Sequence, residues 1–234
     1  RLKFRSKSLR PLLILKKILA IFVLLVIFVP LAYFIMNPSK EKKLPIINPI
    51  DVNEEMVDPT LLQIGIGHSI GAFEFENQDG VLISNKEVKG KVYVAEYFFA
   101  TCKSICPIMN RQMQRIQSAY EKDKRLKLLS FTVDPDNDTP EKLKKYAQDH
   151  HYIKGKWHFL TGKKEDLYRL ARKSYFVLKP SEAQNLGDAG SDFIHTNNFV
   201  LVDRKKRIRG YYDGTSKTSM DSLIHDIGRL LKEF

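Results

Sequence analysis

Residues 92–107 read VYVAEYFFATCKSICP. The first nine, Val92 to Ala100, are β-branched or aromatic almost throughout and form the strongest strand signal in the chain. They run directly into Thr101-Cys102-Lys103-Ser104-Ile105-Cys106-Pro107, after which apolar Ile108, Met109, Met113, Ile116 and Ala119 recur at helical spacing. Pro107 suits a first helical turn and biases Cys106 away from helical geometry. Both thiols therefore fall in a strand-to-helix loop and at a helix N-terminus. Exposed amides and the helix dipole there favour thiolate, the form that attacks disulfides and binds soft metals. Inside a regular helix, Cβ atoms four residues apart sit about 5–6 Å from each other, too far for an unstrained disulfide at about 3.8 Å. A loop leaves both reversible oxidation and shared metal ligation open. Two cysteines in 234 residues cannot build a disulfide framework, so they matter as one pair.

Outward from this core the pattern alternates, which predicts a single α/β domain. Upstream, Ala72 to Phe75, an Asp79-Gly80 turn and Val81 to Ile83 predict a short hairpin. Downstream, Leu126 to Val133 predicts a second buried strand, closed by Asp134-Pro135-Asp136-Asn137-Asp138-Thr139-Pro140. Thr139, Pro140 and Glu141 make a helix start. Helices are expected at 140–149, 165–174 and 218–233, with strands near 157–160, 198–203 and 207–212.

Charge is divided unevenly along the chain. With 39 Lys and Arg against 27 Asp and Glu, the formal net charge is +12. Residues 1–17 hold seven basic residues and no acid, Lys40 to Lys43 add a net two, and residues 44–234 keep only +3. A nearly neutral domain behind a basic tail points to a membrane rather than to nucleic acid. Ile18 to Met36 (ILAIFVLLVIFVPLAYFIM) is long enough, at about 1.5 Å per residue, to cross a bilayer. It is longer than a secretory h-region, and Asn37-Pro38-Ser39-Lys40 after it offers neither a small-residue cleavage site nor a lipidation cysteine. The expectation is an uncleaved single-pass anchor in the inner membrane, with residues 1–17 cytoplasmic and the folded part on the periplasmic side. Residues 37–62, with four prolines and no periodicity, read as a linker.

Two thiolates suit a soft ion such as Cu(I) but leave it short of trigonal coordination, so a histidine is sought as third ligand. His195 stands apart from His68, His150, His151, His158 and His225. It follows the Gly/Ser/Asp-rich stretch 185–192 and precedes the strand Phe199 to Asp203, and such a loop can carry an imidazole over the end of a neighbouring strand. The Gly, Ser and Asp content of the loop from Tyr175 to Gly190 predicts that it is mobile without metal. His150 and His151 fall at a helix end and His225 on the last amphipathic helix, ordinary places for solvated histidines. Zinc would want a fourth protein ligand and a second close Cys or His pair, which the sequence lacks.

Phe98 to Pro107, then Val133-Asp134-Pro135-Asp136-Asn137-Asp138-Thr139-Pro140 27 residues beyond Cys106, then Trp157 to Gly162, then His195 before Phe199 to Asp203, resemble the Sco/SenC family in that order. Those proteins are membrane-anchored, thioredoxin-fold copper proteins that help assemble the copper site of cytochrome c oxidase. The resemblance covers about residues 62–234 and the anchor. It implies a thioredoxin-like copper-binding domain at 63–234 with an N-terminal β-hairpin extension, preceded by one transmembrane helix. It also implies that Cys102, Cys106 and His195 ligate one copper ion, that Cys102 and Cys106 can form a disulfide, and that Asp134 stands in a supporting position beside the site. Thr101 replaces a histidine often found before the first cysteine, and Thr196 a serine often found after the ligand histidine; neither substitution removes a ligand.

The mechanism implied is redox-gated copper delivery. Reduced Cys102 and Cys106 with His195 hold copper in an open site, received from an upstream donor protein and passed by stepwise ligand exchange to the copper-binding subunit of cytochrome c oxidase. The competing reading is a thiol-disulfide oxidoreductase that keeps the acceptor's cysteines reduced, although such enzymes typically carry CxxC and have no use for His195. A peroxidase and a redox or copper sensor are further alternatives.

Overall fold

The computed structural model describes residues 10–36, 42–61, 65–177 and 197–233. The chain forms two compact units, Arg1–Lys43 and Leu44–Phe234. In the first, helix α1 spans Arg10–Met36 with Pro30 inside it. Its stretch Leu15–Tyr33 has a mean hydropathy of 2.5 and no buried residue, long and apolar enough to cross a membrane. The helix starts earlier than the apolar run: nothing between Arg10 and Ile18 breaks helix, and Pro11 fits a first turn.

In the second unit, strands β1 (Glu74–Asn77), β2 (Leu82–Ser84), β3 (Val92–Phe98), β4 (Leu126–Thr132), β5 (Trp157–Thr161), β6 (Asn198–Val202) and β7 (Ile208–Asp213) form one sheet ordered β2-β1-β5-β4-β3-β6-β7. The helices are α2 (Asn85–Val88), α3 (Cys106–Ala119), α4 (Pro140–Asp149), α5 (Lys164–Leu170) and α6 (Lys217–Lys232). Strand β3 runs parallel to β4 from Val92↔Leu126 to Phe98↔Thr132, and β4 parallel to β5. Strands β6 and β7 and the β1–β2 hairpin flank this parallel centre antiparallel. All seven residues of β3 and of β4 are buried, which is why they read as continuous apolar runs. The side chains alternate. Val92, Val94 and Phe98 pack with Met109, Met113, Leu223 and Ile227 on the α3/α6 face, and Tyr93, Ala95 and Tyr97 with Phe131, Leu160 and Leu167 on the α5 face.

The predicted hairpin forms around Asn77, whose side chain accepts from the amides of Asp79 and Val81. The helix expected over 165–174 is regular only to Leu170; Ala171–Tyr175 is a π-helical turn that ends at Phe176 with φ +52°. The stretch read as a linker to residue 62 belongs, from Leu44, to the folded unit. Its backbone makes three 3-10 turns (Pro49–Asp51, Glu54–Met56, Pro59–Leu61), and Leu44, Asn48, Pro49 and Val57 are buried one at a time. Ile47 bridges to Ile208 at the edge of the sheet. Burial without a period leaves no signature in a hydrophobicity pattern.

Candidate metal centre

Parallel strands end together, and the loops leaving β3 and β4 lie side by side, with the Val133 amide donating to the Phe98 carbonyl (2.9 Å). The β3 loop carries Cys102, and Cys106 is the first residue of α3, with Pro107 in its first turn. Both thiols are free and nearly covered, Cys102 8% and Cys106 2% exposed. The Cys102 amide donates to the Phe99 carbonyl (3.2 Å), a tight turn that brings the two cysteines together. Cys102 Sγ lies 3.5 Å from Ser104 Oγ and shares a hydrogen bond with the Cys106 thiol. Burial raises the Cys102 pKa, but the bonds from Cys106 and Ser104 outweigh it and hold the thiol below its ordinary value. Burial dominates at Cys106 and pushes that thiol well up. The pair thus offers two covered sulfurs whose acidities are pushed in opposite directions, the pKa of Cys102 down and that of Cys106 up.

Two buried carboxylates, Asp138 and Glu96, lie close to this loop. Asp138 is fully buried, accepts from the Ala100 amide (3.1 Å) and from Thr132 Oγ1, and so ties the cysteine loop to the end of β4. Burial pushes its carboxyl up. Asp134, the residue placed beside the site from sequence, accepts from Asn137 Nδ2 (3.0 Å) in the turn that follows β4. Asp138→Ala leaves the Ala100 amide without its acceptor and should cost about 1–3 kcal/mol. Denaturant unfolding with amide exchange at Ala100 checks this; unchanged exchange there would show that the tie is idle.

Glu96, six residues before Cys102, is the second. Strand alternation puts it with Val94 and Phe98 on the α3 face, fully buried. Ser130 Oγ donates to its Oε1 (2.6 Å) and Trp157 Nε1 to Ser130 Oγ (2.8 Å), while Oε2 has no hydrogen-bond partner among the described residues. Burial pushes this carboxyl up to about 7, against the lowering bond from Ser130. The one signal in the sequence was an acid inside an otherwise apolar strand.

A model of the SCO1/SenC family matches residues 65–232. The chain belongs to the SCO1/SenC family. The SCO1 protein homolog of Bacillus subtilis is 33% identical over 164 residues, which cover 69% of this chain and 82% of that protein. BsSco, solved with a disulfide switch identified in it and described as a member of the Sco family of cytochrome c oxidase assembly proteins, is 30% identical with a TM-score of 0.59, covering 70% of this chain and 93% of that one. ScoI of Bradyrhizobium japonicum, solved with copper bound, shares the fold at 23% identity and a TM-score of 0.55, covering 70% of this chain and 99% of that one. The expected thioredoxin-like α/β fold, with its N-terminal hairpin, is therefore the fold of this SCO1/SenC chain.

His195, the expected third ligand, and the loop 185–192 before it lie outside the described residues. Among the described residues no group of three or more His, Cys, Asp or Glu side chains gathers as a metal cluster. The other histidines have local roles. Buried His68 bonds the Ser174 carbonyl through Nε2 (2.8 Å) and packs on Phe176. On β5, buried His158 meets Asn77 Nδ2 through Nδ1 (3.2 Å). His150 and His151 end α4, where Gln114 and Gln117 bind their carbonyls, and His225 lies on α6.

Proposed function

We propose that this SCO1/SenC protein is a membrane-anchored metallochaperone that binds one copper ion through Cys102, Cys106 and His195 and delivers it to the copper site of cytochrome c oxidase. The observation that carries the reading is the pair of unlinked, adjacent sulfurs at the β3–α3 junction. A soft ion prefers thiolate ligands, and a two-sulfur site needs one further donor. Strand β6 pairs with β3, so Asn198 enters the sheet beside the β3 end that leads to the cysteines. His195 is three residues upstream of it, within a chain reach of about 10 Å. Copper bound to the related ScoI fold supports the choice of ion. The cargo arrives from a donor protein, exchanges ligands one at a time, and leaves to the cysteines of the acceptor subunit. Helix α1 holds the protein in the inner membrane with residues 1–17 in the cytoplasm and the folded unit outside, and Asp134 borders the site.

The disulfide switch of BsSco favours a second reading, a thiol-disulfide reductase for the acceptor. In it one thiolate of the pair attacks the acceptor's disulfide, the other cysteine resolves the mixed disulfide, and two electrons and two protons pass to the acceptor.

Copper(I) titration of the full chain in detergent separates the two. The reduced protein is expected to bind one ion per chain and the Cys102–Cys106 disulfide none. Cys102→Ser, Cys106→Ser and His195→Ala should each weaken binding by more than about a hundredfold. Wild-type affinity in these variants would overturn the ligand set. Absent binding with rapid exchange against a dithiol would favour the reductase.

A further inference from the structure

The net charge of +3 over residues 44–234 conceals a segregation. At the end of the sheet where β3 and β4 begin lies a cavity of about 420 Å³ whose lining carries five lysines, Lys91, Lys124, Lys127, Lys154 and Lys156, against the single carboxylate of Glu121. Three of the five have partners: Lys127 holds Glu87 and the Gly155 carbonyl, Lys91 donates to the Glu87 carbonyl (2.8 Å), and buried Lys156 donates to the Asp123 carbonyl (2.8 Å). Glu87 also takes Lys91 (3.4 Å), so two lysines share one carboxylate. Lys124 and Lys154 are exposed. The chain enters the folded unit at this same end. The carbonyls of Leu44 and Pro45 are held by Arg209, next to the β7 residue that Ile47 bridges, and Arg125, at the start of β4, donates to the Leu231 carbonyl (3.3 Å). The cysteine loop leaves from the opposite end, about 20 Å away along the seven residues of β3. Only residues 37–43 separate Leu44 from the end of α1 at Met36, a chain length under about 30 Å.

We infer that the lysine-bearing end of the folded unit binds the headgroups of anionic lipids. Crowded, partly unpaired lysines close to a membrane-spanning segment gain most from an anionic surface, and the attraction is screened within a Debye length. The inference rests on Leu15–Tyr33 as a membrane span and is independent of copper.

Full-length protein in nanodiscs of phosphatidylcholine, with or without phosphatidylglycerol, tests it by acetylating lysines with an N-hydroxysuccinimide ester and reading sites by mass spectrometry. Lys91, Lys124 and Lys154 should react at least about threefold more slowly in the anionic discs at low salt, and equally in both at about 0.5 M salt. Lys142, one turn from Asp138 at the cysteine end, should react alike in both. K124Q/K154Q, at exposed positions, should abolish the protection of Lys91. Equal labelling in the two lipids at low salt would overturn the inference, as would the same protection produced by inorganic phosphate in phosphatidylcholine discs. A chain that does not co-elute with the discs would overturn the anchor and, with it, the inference.

Discussion

Glu96→Gln is expected to become more stable relative to wild type, by about 2–3 kcal/mol, as the metal-free protein is taken from about pH 5 to about pH 8. The carboxyl is raised to about 7 in the fold from 4.5. Between those values the native state binds more protons than the unfolded chain, so this group's contribution to stability falls as pH rises through the window and stays low above it. His158 works in the other direction. Burial lowers it from 6.5 to about 4, the unfolded chain binds more protons in that interval, and stability rises with pH there. The wild-type profile sums such opposing groups, and subtracting the variant isolates Glu96. Denaturant unfolding of both proteins across this range gives the difference directly. A gap that stays constant with pH would show that Glu96 is already ionised in the fold.

Arg209→Met should cost about 3 kcal/mol. The guanidinium is buried, 3% exposed, and joins four partners: Asp203 (3.2 Å), Glu233 (3.0 Å) and the carbonyls of Leu44 (2.7 Å) and Pro45 (2.8 Å). Removing it strands a fully buried Asp203 and two carbonyls, although Asp203 keeps Arg207 (2.6 Å), which places the effect at the lower end of the range for a broken buried pair. Methionine fills most of the volume, so the loss is electrostatic rather than a cavity. Unfolding free energy measures the size. Faster amide exchange at Ile47, bonded to the Ile208 carbonyl (2.9 Å), would show that the entry segment has come loose. Unchanged stability and exchange would mean that the arginine is replaceable by packing.

Hydrophobic patterning made the strands and helices of the second unit legible, because Val92–Phe98 and Leu126–Thr132, covered on both faces, read as continuous apolar runs and α3, α4 and α6 each bury one stripe. It failed where burial is not periodic. Leu44 to Leu61 looked like a tether, since its prolines and charges outnumber the few side chains it buries. The π turn after Leu170 had no breaker to mark it. At the site, the cysteines could be placed from Pro107 and the strand before them, whereas Asp138 could not be separated from Asp134 and Asp136 in one acidic turn. Only the hydrogen bonds from Ala100 and Thr132 single it out. Glu96 and Arg209 are legible only once their burial is known.

The neighbours of β3 arrive at different times in the life of the chain. β4 starts 34 positions after Val92, but β6, on the other side, starts only at Asn198, and α6 follows it. A polypeptide emerging from its N-terminus has both cysteines in solvent well before the last strands and helix exist to close over that face of the sheet. The low exposure of the two sulfurs belongs to the finished molecule, so an oxidant present during synthesis meets a different, open pair. Long-range pairing of this kind is slow relative to local helix formation.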